Sequence, residues 1–324
     1  MASMTDVARL AGVSVSTVSL VCNNKGYVSD EMRERVRAAM RELGYAPSTL
    51  ARNLKMRRSG IIGVIVPDTA HPFFASFIKS AERHLYARGF KTMVCGSAGR
   101  EGAEQEYLDM LEQQAMDALI MGAHTLDVSR YLSVHKPLVA LDRYLSDQIA
   151  TVRVDKLQVA RLSAELFLTR GRRRVVQLVN SGAIRTFDDD RHSAFHQLLE
   201  REGVEVIDVP LGFNCFTPEE YVEGVHRAFD LVPDADGIVG VDMAALAAMR
   251  EARRRGKSVP EDISVVAIDG TYITRMGPQV LTAIMQPINQ LAARAAEMAA
   301  SMACGGVPEG PSILDVVVQE GETL

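Results

Sequence analysis

Polar and charged side chains that follow apolar stretches in residues 61–324 have the residue types and the placement of a ligand site. Asp68, Asp142 and Asp269 each follow an aliphatic run, and Arg191 begins a later helical pattern. Ligands of open parallel sheets bind beyond the carboxyl ends of the strands. Carboxylates and a guanidinium at that edge supply acceptors and forked donors that suit a polyhydroxyl ligand such as a sugar.

Each of these polar residues, taken alone, is more often a helix cap or a solvated loop residue. The interpretation depends on the coincidence of six positions, which are Asp68, Asp142 with Arg143, Asn180 with Ser181, Arg191, Asp242 and Asp269. Phe73 and Phe74 follow Pro72 at the start of a predicted helix. Aromatic residues in this position are more often part of the core, although either ring can line a pocket wall.

Motifs of the common catalytic and metal sites are missing from the sequence. There is no Gly-x-x-x-x-Gly-Lys-Ser/Thr phosphate loop, no Gly-x-Ser-x-Gly nucleophile turn and no His-Glu-x-x-His helix. His192 and His196 share a helix face, but a metal site needs a further ligand, and the other histidines have no suitable spacing. The cysteines are scattered, which indicates free thiols at Cys22, Cys95, Cys215 and Cys304. We therefore expect no enzyme, no catalytic residue, no metal and no cofactor beyond a small-molecule ligand.

Residues 3–23 have the pattern of two short helices joined by a glycine turn. Ser3 can cap a first helix whose apolar residues fall on one face. Gly12 can take the left-handed conformation of a sharp turn, and Ser14 can cap a second helix. Val18 and Val21 turn toward the first helix, so the start and the free side of the second helix carry Val15, Ser16, Thr17, Ser19 and Leu20. This pattern predicts a helix-turn-helix whose second helix meets base edges in the major groove.

The charge distribution favours that reading over an ordinary helical hairpin in a helical domain. Residues 1–60 hold ten Lys or Arg and five Asp or Glu, a net charge of +5, whereas the 324-residue chain carries −5. Residues 61–324 therefore carry −10. An acidic protein with a basic amino-terminal module confines its polyanion-binding surface to that module.

From Ile61 onward, apolar strands alternate with amphipathic helices. The predicted strands span 61–66, 91–95, 118–121, 138–141, 151–154, 174–179, 237–240 and 264–268. The predicted helices span 72–88, 101–114, 156–170, 191–202, 217–230 and 243–255. Such alternation is typical of parallel sheets covered on both faces, so we expect two α/β lobes of about 100 residues each with a cleft between them.

The segment between the basic module and the first strand is short and amphipathic. Leu50, Ala51 and Leu54 form an apolar stripe beside basic residues, yet the stretch is below the ~12 residues that an isolated helix needs. It orders only against a partner, or else it is a flexible hinge.

No stretch approaches the ~20 apolar residues of a membrane span, and the amino terminus lacks the order of a signal peptide. The sequence predicts a cytoplasmic protein without a membrane partner.

The chain resembles the lactose-repressor family of bacterial transcription regulators along essentially its whole length. The segments that carry the resemblance are Asp6-Val7-Ala8 with Ala11-Gly12-Val13-Ser14, Asn23-Asn24, Arg33-Glu34-Arg35-Val36, Leu43-Gly44-Tyr45, Leu50-Ala51-Arg52, Ile62-Gly63-Val64-Ile65-Val66-Pro67-Asp68 with Pro72-Phe73-Phe74, and Val259-Pro260-Glu261-Asp262-Ile263-Ser264-Val265-Val266. Any one of them is weak, and jointly they are specific. The resemblance implies a helix-turn-helix headpiece, a hinge and a core like the periplasmic sugar-binding proteins.

The resemblance also implies which residues bind DNA and which bind an effector. The positions that correspond to DNA contacts are Met4, Thr5, Val15, Ser16, Thr17, Ser19, Leu20, Ser29, Tyr45, Ala51 and Leu54, with Leu54 wedged into the minor groove. The effector positions are Asp68, Phe73, Asp142, Arg191, Asp269 and Gln286. The implied partners are double-stranded DNA with a pseudo-palindromic operator, a small-molecule effector and a second copy of the chain.

The resemblance divides the chain at defined positions. We expect a DNA-binding domain over 1–46, a hinge over 47–60 and a core over 61–324. Lobe one is predicted to span about 61–152 and 284–308, and lobe two about 155–282 and 311–324. The three crossings between the lobes then fall near 152–155, 283–286 and 308–313, and the helix from Ile288 belongs to lobe one.

Departures from the family pattern bear on specificity. Leu20 stands where the family usually has an arginine, Val241 where it often has an asparagine, and Gly270 where a second aspartate is common. The last residues show no heptads, so a dimer is expected rather than a tetramer. The resemblance implies a repressor of carbohydrate-use genes switched by a sugar or sugar phosphate. The alternatives are a non-sugar effector or corepressor, and a solute-binding protein without DNA function.

Overall fold

The computed structural model describes residues 2–24, 26–46, 58–97, 100–142, 145–179, 187–212 and 216–324, with the backbone alone for 187–189. The chain forms two compact units, Met1–Ser59 and Gly60–Leu324, which we call the headpiece and the core. Most of the predicted hinge, including Ala51 and Leu54, lies outside the described residues. Arg143, Asn180, Ser181 and Cys215 lie outside them as well.

The headpiece contains three helices, α1 (Met4–Ala11), α2 (Val15–Asn23) and α3 (Asp30–Glu42). Ser3 and Asp6 form a reciprocal capping box at the start of α1, and the Ser14 hydroxyl caps α2 by accepting from the Thr17 amide at 3.1 Å. Gly12 ends α1 with φ of 63°, a left-handed conformation that glycine adopts without strain. The sequence pattern of caps and turn residues therefore folds locally as predicted.

The three helices enclose a small apolar core. Its buried members are Val7, Ala8, Ala11, Val18, Val21, Val28, Val36 and Ala39. Arg35 on α3 donates to the Ala11 carbonyl at 2.6 Å and so ties α3 to the end of α1. The headpiece therefore holds α2 by its valine face and leaves the other faces of that helix available.

The first lobe of the core is a six-stranded parallel sheet in the order β2-β1-β3-β4-β5-β11. Its strands are β1 (Ile61–Val66), β2 (Lys91–Gly96), β3 (Ala118–Met121), β4 (Leu138–Leu141), β5 (Ala150–Val154) and β11 (Ile313–Leu314). Its helices are α4 (Pro72–Ala87), α5 (Ala103–Glu112), α6 (Val128–Leu132) and α11 (Ile288–Ala303). The central strands are buried along almost their whole length, as expected for a sheet covered on both faces.

The second lobe has the same layered architecture, with the strand order β7-β6-β8-β9-β10-β12. Its strands are β6 (Arg174–Val179), β7 (Glu205–Pro210), β8 (Gly237–Val241), β9 (Ser264–Asp269), β10 (Thr282–Met285) and β12 (Val317–Gln319), and only β12 runs antiparallel to its neighbour. Its helices are α7 (Lys156–Thr169), α8 (Phe187–Arg201), α9 (Pro218–Leu231) and α10 (Asp242–Arg254), with a short 3-10 turn at Tyr272–Arg275. The predicted α/β fold class is confirmed.

Helix α11 belongs to the first lobe although it follows strands of the second. It packs against α4, and the Asn289 side chain on α11 accepts hydrogen bonds from Ser80 at 2.6 Å and from Arg83 at 2.7 Å. Buried alanines on one face of α11 allow this close approach. The assignment of the helix from Ile288 to lobe one agrees with this packing.

The chain crosses between the lobes at positions that correct two predicted boundaries. The first crossing is at Asp155, between β5 and α7. All of β10 pairs with β9, so the second crossing lies at 286–287, at the end of the predicted range 283–286, and lobe one does not resume at 284 as predicted. β11 still pairs with β5, so the third crossing lies at 315–316 and not within 308–313. A two-residue strand has no periodicity of its own, and the sequence could not reveal it.

Several short elements were missed by the sequence pattern. They are β7, β10, β11, β12 and α6, and α8 begins at Phe187, four residues before the predicted start. β7 is an edge strand with exposed residues at Glu205 and Pro210, so its hydrophobic signal is weak.

Among the described helices, no single one is long and apolar enough to cross a membrane. Cys22 and Cys95 are free thiols, as predicted, and Cys215 lies outside the described residues.

The turn between α1 and α2 gives a test of how the headpiece is built. Added at Gly12, a Cβ atom would lie 3.0 Å from the Arg35 guanidinium, whereas one at Gly44, which also has positive φ, would meet nothing within 4 Å. Both substitutions to alanine carry the left-handed strain of about 1 kcal/mol, and only Gly12→Ala also disturbs the Arg35–Ala11 contact. We expect faster amide exchange in α1 and α2 for Gly12→Ala than for Gly44→Ala in the full chain. Equal exchange in the two variants would show that the Arg35 contact contributes nothing.

Candidate functional site

The exposed surface of α2 is the first candidate site. Val18 and Val21 are buried, whereas Val15, Ser16 and Leu20 are exposed. Thr17 and Ser19 are half-buried, and Thr5 on α1 is exposed. The valine spacing thus places the predicted contact residues of α2 away from the packed interface with α1 and α3.

Hydroxyl groups organise the start of α2. The Ser14 hydroxyl lies 2.7 Å from the Ser16 hydroxyl and 2.8 Å from the Thr17 hydroxyl. At the other end of α2, the side-chain amide of Asn23 donates to the Ser19 carbonyl at 2.8 Å. Ser16 and Thr17 therefore hold defined rotamers around the helix cap, and each hydroxyl can still exchange its partner for a phosphate or a base edge.

Leu20 forms an apolar spot at the edge of this surface. A Cβ atom on Gly26 would lie 3.2 Å from a Leu20 methyl group, so Leu20 rests on the turn that follows α2. Its side chain keeps 37% of its surface exposed. A leucine fixed in this way presents methyl groups and no hydrogen-bond donor.

Three other predicted DNA contacts also support the folded headpiece. Met4 and Tyr45 pack against the apolar core, and burial raises the pKa of the Tyr45 hydroxyl. The exposed Ser29 accepts a hydrogen bond from the Met32 amide at 3.4 Å and caps α3. Their role in binding stays a prediction. Tyr27 was not predicted as a DNA contact. Its side chain is 96% exposed in the loop before α3. The only sequence signal for it is its position between Gly26 and Val28.

The second candidate site is a cavity of about 120 Å³ between the two lobes of the core. Five of the six predicted effector residues line it, namely Phe73, Asp142, Arg191, Asp269 and Gln286. Asp68 does not line it, and that expectation is corrected. Its carboxylate accepts from the Ala70 amide at 2.8 Å and closes a local turn, a common use of aspartate in loops.

Asp242, another of the six strand-end positions, also lies behind the cavity wall. Its buried carboxylate accepts from the Gly270 amide at 3.0 Å, the Thr271 amide at 2.7 Å and the Thr271 hydroxyl at 2.6 Å. Burial nevertheless raises the pKa of Asp242. This residue therefore fixes the loop after β9 and does not face a ligand.

A buried ion pair joins the two lobes at one side of the cavity. The Lys156 ammonium, on the first residue of α7, lies 2.5 Å from the Asp142 carboxylate at the end of β4. Both side chains are largely buried, so their attraction is only weakly screened by water. Sequence reasoning missed Lys156 because a lysine at a helix start looks like a solvated residue.

Asp269 and Gln286 form a second polar pair, at the end of β9 and directly after β10 in the second lobe. The Gln286 amide nitrogen donates to the Asp269 carboxyl at 2.7 Å, and the backbone amide of Gln286 donates to the Asp269 carbonyl at 2.9 Å. Burial and the nearby Asp242 carboxylate raise the pKa of Asp269 well above its usual value. In its protonated form the Asp269 carboxyl can both donate a hydrogen bond to a ligand hydroxyl and accept one from it.

The glycine after Asp269 is explained by packing. A Cβ at Gly270 would lie 2.7 Å from the backbone of Met285, and Gly270 has φ of 63°. The aspartate that is common in the family would clash here. The departure at Gly270 therefore reflects the close approach of β10, whereas Val241 does line the cavity and makes that wall apolar.

Arg191 reaches the cavity from α8 and is only 8% exposed. Its guanidinium donates to the Nε2 atom of His192 at 2.6 Å. Because Nε2 accepts this hydrogen bond, His192 is in its neutral form in this arrangement. The pair brings a forked donor to the ligand side of the second lobe.

An aromatic wall, which we define as His71, Phe74, Phe216 and Tyr221, closes one end of the cavity. His71 and Phe74 come from α4 and the residue before it in the first lobe, and Tyr221 comes from α9 in the second. Phe73 stacks edge-on against Phe74, with ring centroids 5.3 Å apart. Of these four wall residues the sequence suggested only Phe74 as a pocket residue, because the lone histidine and the helical tyrosine carry no motif.

The comparisons with known proteins agree with this organisation. A sequence model of bacterial regulatory proteins of the lacI family matches residues 3–48, and a model of periplasmic binding protein-like domains matches residues 164–323. A ribose operon repressor from Halalkalibacterium halodurans is 34% identical over 90% of this chain and 88% of its own length. A sucrose operon repressor from Pediococcus pentosaceus is 34% identical over 88% of this chain and 87% of its own. A Lac repressor structure bound to ONPG superposes with a TM-score of 0.84 and 25% identity, covering 100% of this chain and 99% of the other.

Burial of His71 predicts a specific dependence of stability on pH. Desolvation lowers the pKa of His71 to about 4, whereas an unfolded histidine titrates near 6.5. Between these values the unfolded chain binds the proton and the folded chain does not, so the free energy of unfolding falls as pH falls from about 7 to 4. The shift corresponds to about 3 kcal/mol. Denaturant unfolding over this pH range should show that the free energy of unfolding falls by about 3 kcal/mol more in wild type than in His71→Gln. Replacement of the exposed His135 by glutamine should leave the pH dependence of wild type unchanged. Parallel curves for wild type and His71→Gln would contradict the burial of a neutral His71.

Proposed function

We propose that this chain, which belongs to the lacI family of bacterial regulatory proteins, is a sequence-specific DNA-binding repressor of carbohydrate-use genes, controlled by a small sugar in the cleft of its core. The family match of the headpiece and the repressors among its relatives support the DNA-binding role. The observation that carries the effector role is the cavity between the lobes, where acidic, basic and amide side chains surround one space.

The headpiece binds DNA through the exposed surface of α2. Base edges in the major groove meet Val15, Ser16, Thr17, Ser19 and Leu20, while Thr5 and the basic residues around it contact phosphates. We extend the contact set to the exposed Tyr27, and we retain Met4, Ser29, Tyr45, Ala51 and Leu54 as contacts. Leu20 lacks a donor for guanine and presses on a thymine methyl group instead.

The active form is a dimer in the cytoplasm. Two headpieces place two equivalent α2 helices on DNA, which requires an operator with two related half-sites. We propose no enzymatic activity and no cofactor for this assembly.

The effector binds between the lobes and contacts Phe73, Asp142, Arg191, Asp269 and Gln286. Hydroxyl groups of a sugar match the acceptors and donors of these side chains, and the aromatic wall covers the apolar face of the ring. Asp142 belongs to the first lobe, and Arg191 and Asp269 belong to the second. A ligand that touches all three favours one lobe arrangement over another, which is the requirement for coupling to DNA affinity.

The operator should be a pseudo-palindrome whose half-sites lie about one helical turn apart. With six or more phosphate contacts per dimer, operator affinity should fall by about a thousandfold between 50 and 200 mM salt. Binding-site selection followed by anisotropy titrations at several salt concentrations measures both. An asymmetric single-headpiece site, or affinity that ignores salt, would contradict the proposed DNA-binding mode.

Loss of the cleft contacts should separate ligand response from DNA binding. In wild type, the effector should change operator affinity by about 5- to 150-fold. Arg191→Ala and Asp269→Ala should abolish that change and keep the ligand-free operator affinity within a few-fold, because neither residue lies in the headpiece. Arg153→Ala, outside the cavity, is the control that keeps the response. Full response in either cleft variant would rule out the proposed effector site.

A further inference from the structure

Two buried polar side chains from opposite lobes meet at one end of the cleft. His71 precedes the first residue of α4 in the first lobe, and Tyr221 lies on α9 in the second. The His71 Nε2 atom is 3.3 Å from the Tyr221 hydroxyl, and the two side chains are 8% and 3% exposed. This contact therefore links the lobes within the wall of the cavity.

The other members of the aromatic wall pack around this contact. The His71 ring lies 5.5 Å from the Phe74 ring and 5.8 Å from the Phe216 ring, and the rings of Phe74 and Phe216 are 6.1 Å apart. Tilted and edge-to-face contacts at these distances pack the rings of His71, Phe74 and Phe216 together, and the Tyr221 ring lies 6.4 Å from the His71 ring. The cavity can grow in this direction only if Tyr221 and His71 separate.

The space that remains is small. The cavity has a volume of about 120 Å³, and an apolar cavity of about 150 Å³ accommodates one benzene molecule. A cavity of this volume suits a ligand of about one sugar ring, and a second ring on the side of the aromatic wall would have to enter where Tyr221 stands.

His71 also has a buried polar atom that has no hydrogen-bond partner among the described residues. This atom is Nδ1, while Nε2 lies beside the Tyr221 hydroxyl. In a neutral imidazole one nitrogen donates and the other accepts, so Nδ1 is an acceptor when Nε2 donates to Tyr221 and a donor when Nε2 accepts from Tyr221. A buried polar atom without a partner is costly in either tautomer, and a ligand hydroxyl at this wall supplies the partner.

We propose that the His71–Tyr221 pair restricts the cleft to ligands with one sugar ring, and that His71 is itself a ligand contact whose Nδ1 atom forms a hydrogen bond with a ring hydroxyl. The proposal rests on the sugar-controlled function proposed above and adds the ligand's size and two residues that determine it. Tyr221 acts as a size filter, and its hydroxyl positions the His71 ring.

Calorimetric titration of the full chain tests the size filter. The single-ring probes are D-ribose, D-glucose and D-galactose, and the two-ring probes are sucrose and cellobiose. Wild type should bind at least one single-ring sugar and neither two-ring sugar. Tyr221→Ala should bind a two-ring sugar at least tenfold more tightly than wild type does. The matched control is Tyr272→Ala, at a half-exposed tyrosine of the same lobe outside the cavity, which should keep the wild-type selectivity.

His71→Phe tests the second part and remains informative if Tyr221→Ala does not fold. It keeps an aromatic ring in the wall and removes both nitrogens, so single-ring affinity should fall about tenfold while two-ring sugars stay excluded. His135→Phe, at an exposed histidine, is the control and should bind as wild type does.

Three results would overturn the inference. They are two-ring sugars binding wild type as tightly as single-ring sugars, Tyr221→Ala with unchanged selectivity, and His71→Phe with unchanged affinity. If two-ring sugars change the operator affinity of wild type as much as single-ring sugars do, the proposed function stands while the size filter fails. If wild type binds its operator and no sugar in the panel binds or acts, the sugar proposal fails together with this inference.

Discussion

The three crossings between the lobes are the constraint on which the ligand cleft depends. Lys156 directly follows the first crossing and pairs with Asp142 in the other lobe, and Gln286 lies at the second crossing and bonds Asp269. Any rotation of the lobes has to be taken up at these few residues. Lys156 and Gln286 therefore both line the cavity and lie next to a crossing, so a ligand that binds them acts where the angle between the lobes is set.

Several ionisable side chains of the cleft are paired with an opposite charge or have pKa values that favour the uncharged form. Asp142 is neutralised by Lys156, the raised pKa of Asp269 favours its protonated form, and burial keeps His71 neutral. Hydroxyl groups are better matched to such a surface than a strongly charged ligand, because they donate and accept without a large desolvation penalty. The headpiece differs from the cleft because its basic residues are exposed to solvent and keep their charge. They interact with a polyanion over a longer range.

Much of this organisation could be predicted from the sequence, and the failures have physical causes. Caps such as Ser3 and Ser14, the turn at Gly12 and the alternation of strands with helices are local signals, so they predicted the headpiece and the layered core. Strand-end polar residues predicted most of the cavity because parallel strands bring their carboxyl ends to one edge. Tertiary packing decided the rest. Asp68 turned to its own loop, and Tyr221, a helical residue 150 positions from His71, met that histidine only through the arrangement of the lobes.

The central claim is that one protein couples a sugar in the cleft to DNA at the headpiece, and coupling between two sites must be reciprocal. The most direct measurement is the affinity of a single-ring sugar for the free protein and for the protein saturated with its operator, at one fixed salt concentration. The account predicts that the two sugar affinities differ by the same factor by which the sugar changes operator affinity. Equal sugar affinities in the two states would contradict it, because the cleft and the headpiece would then be independent.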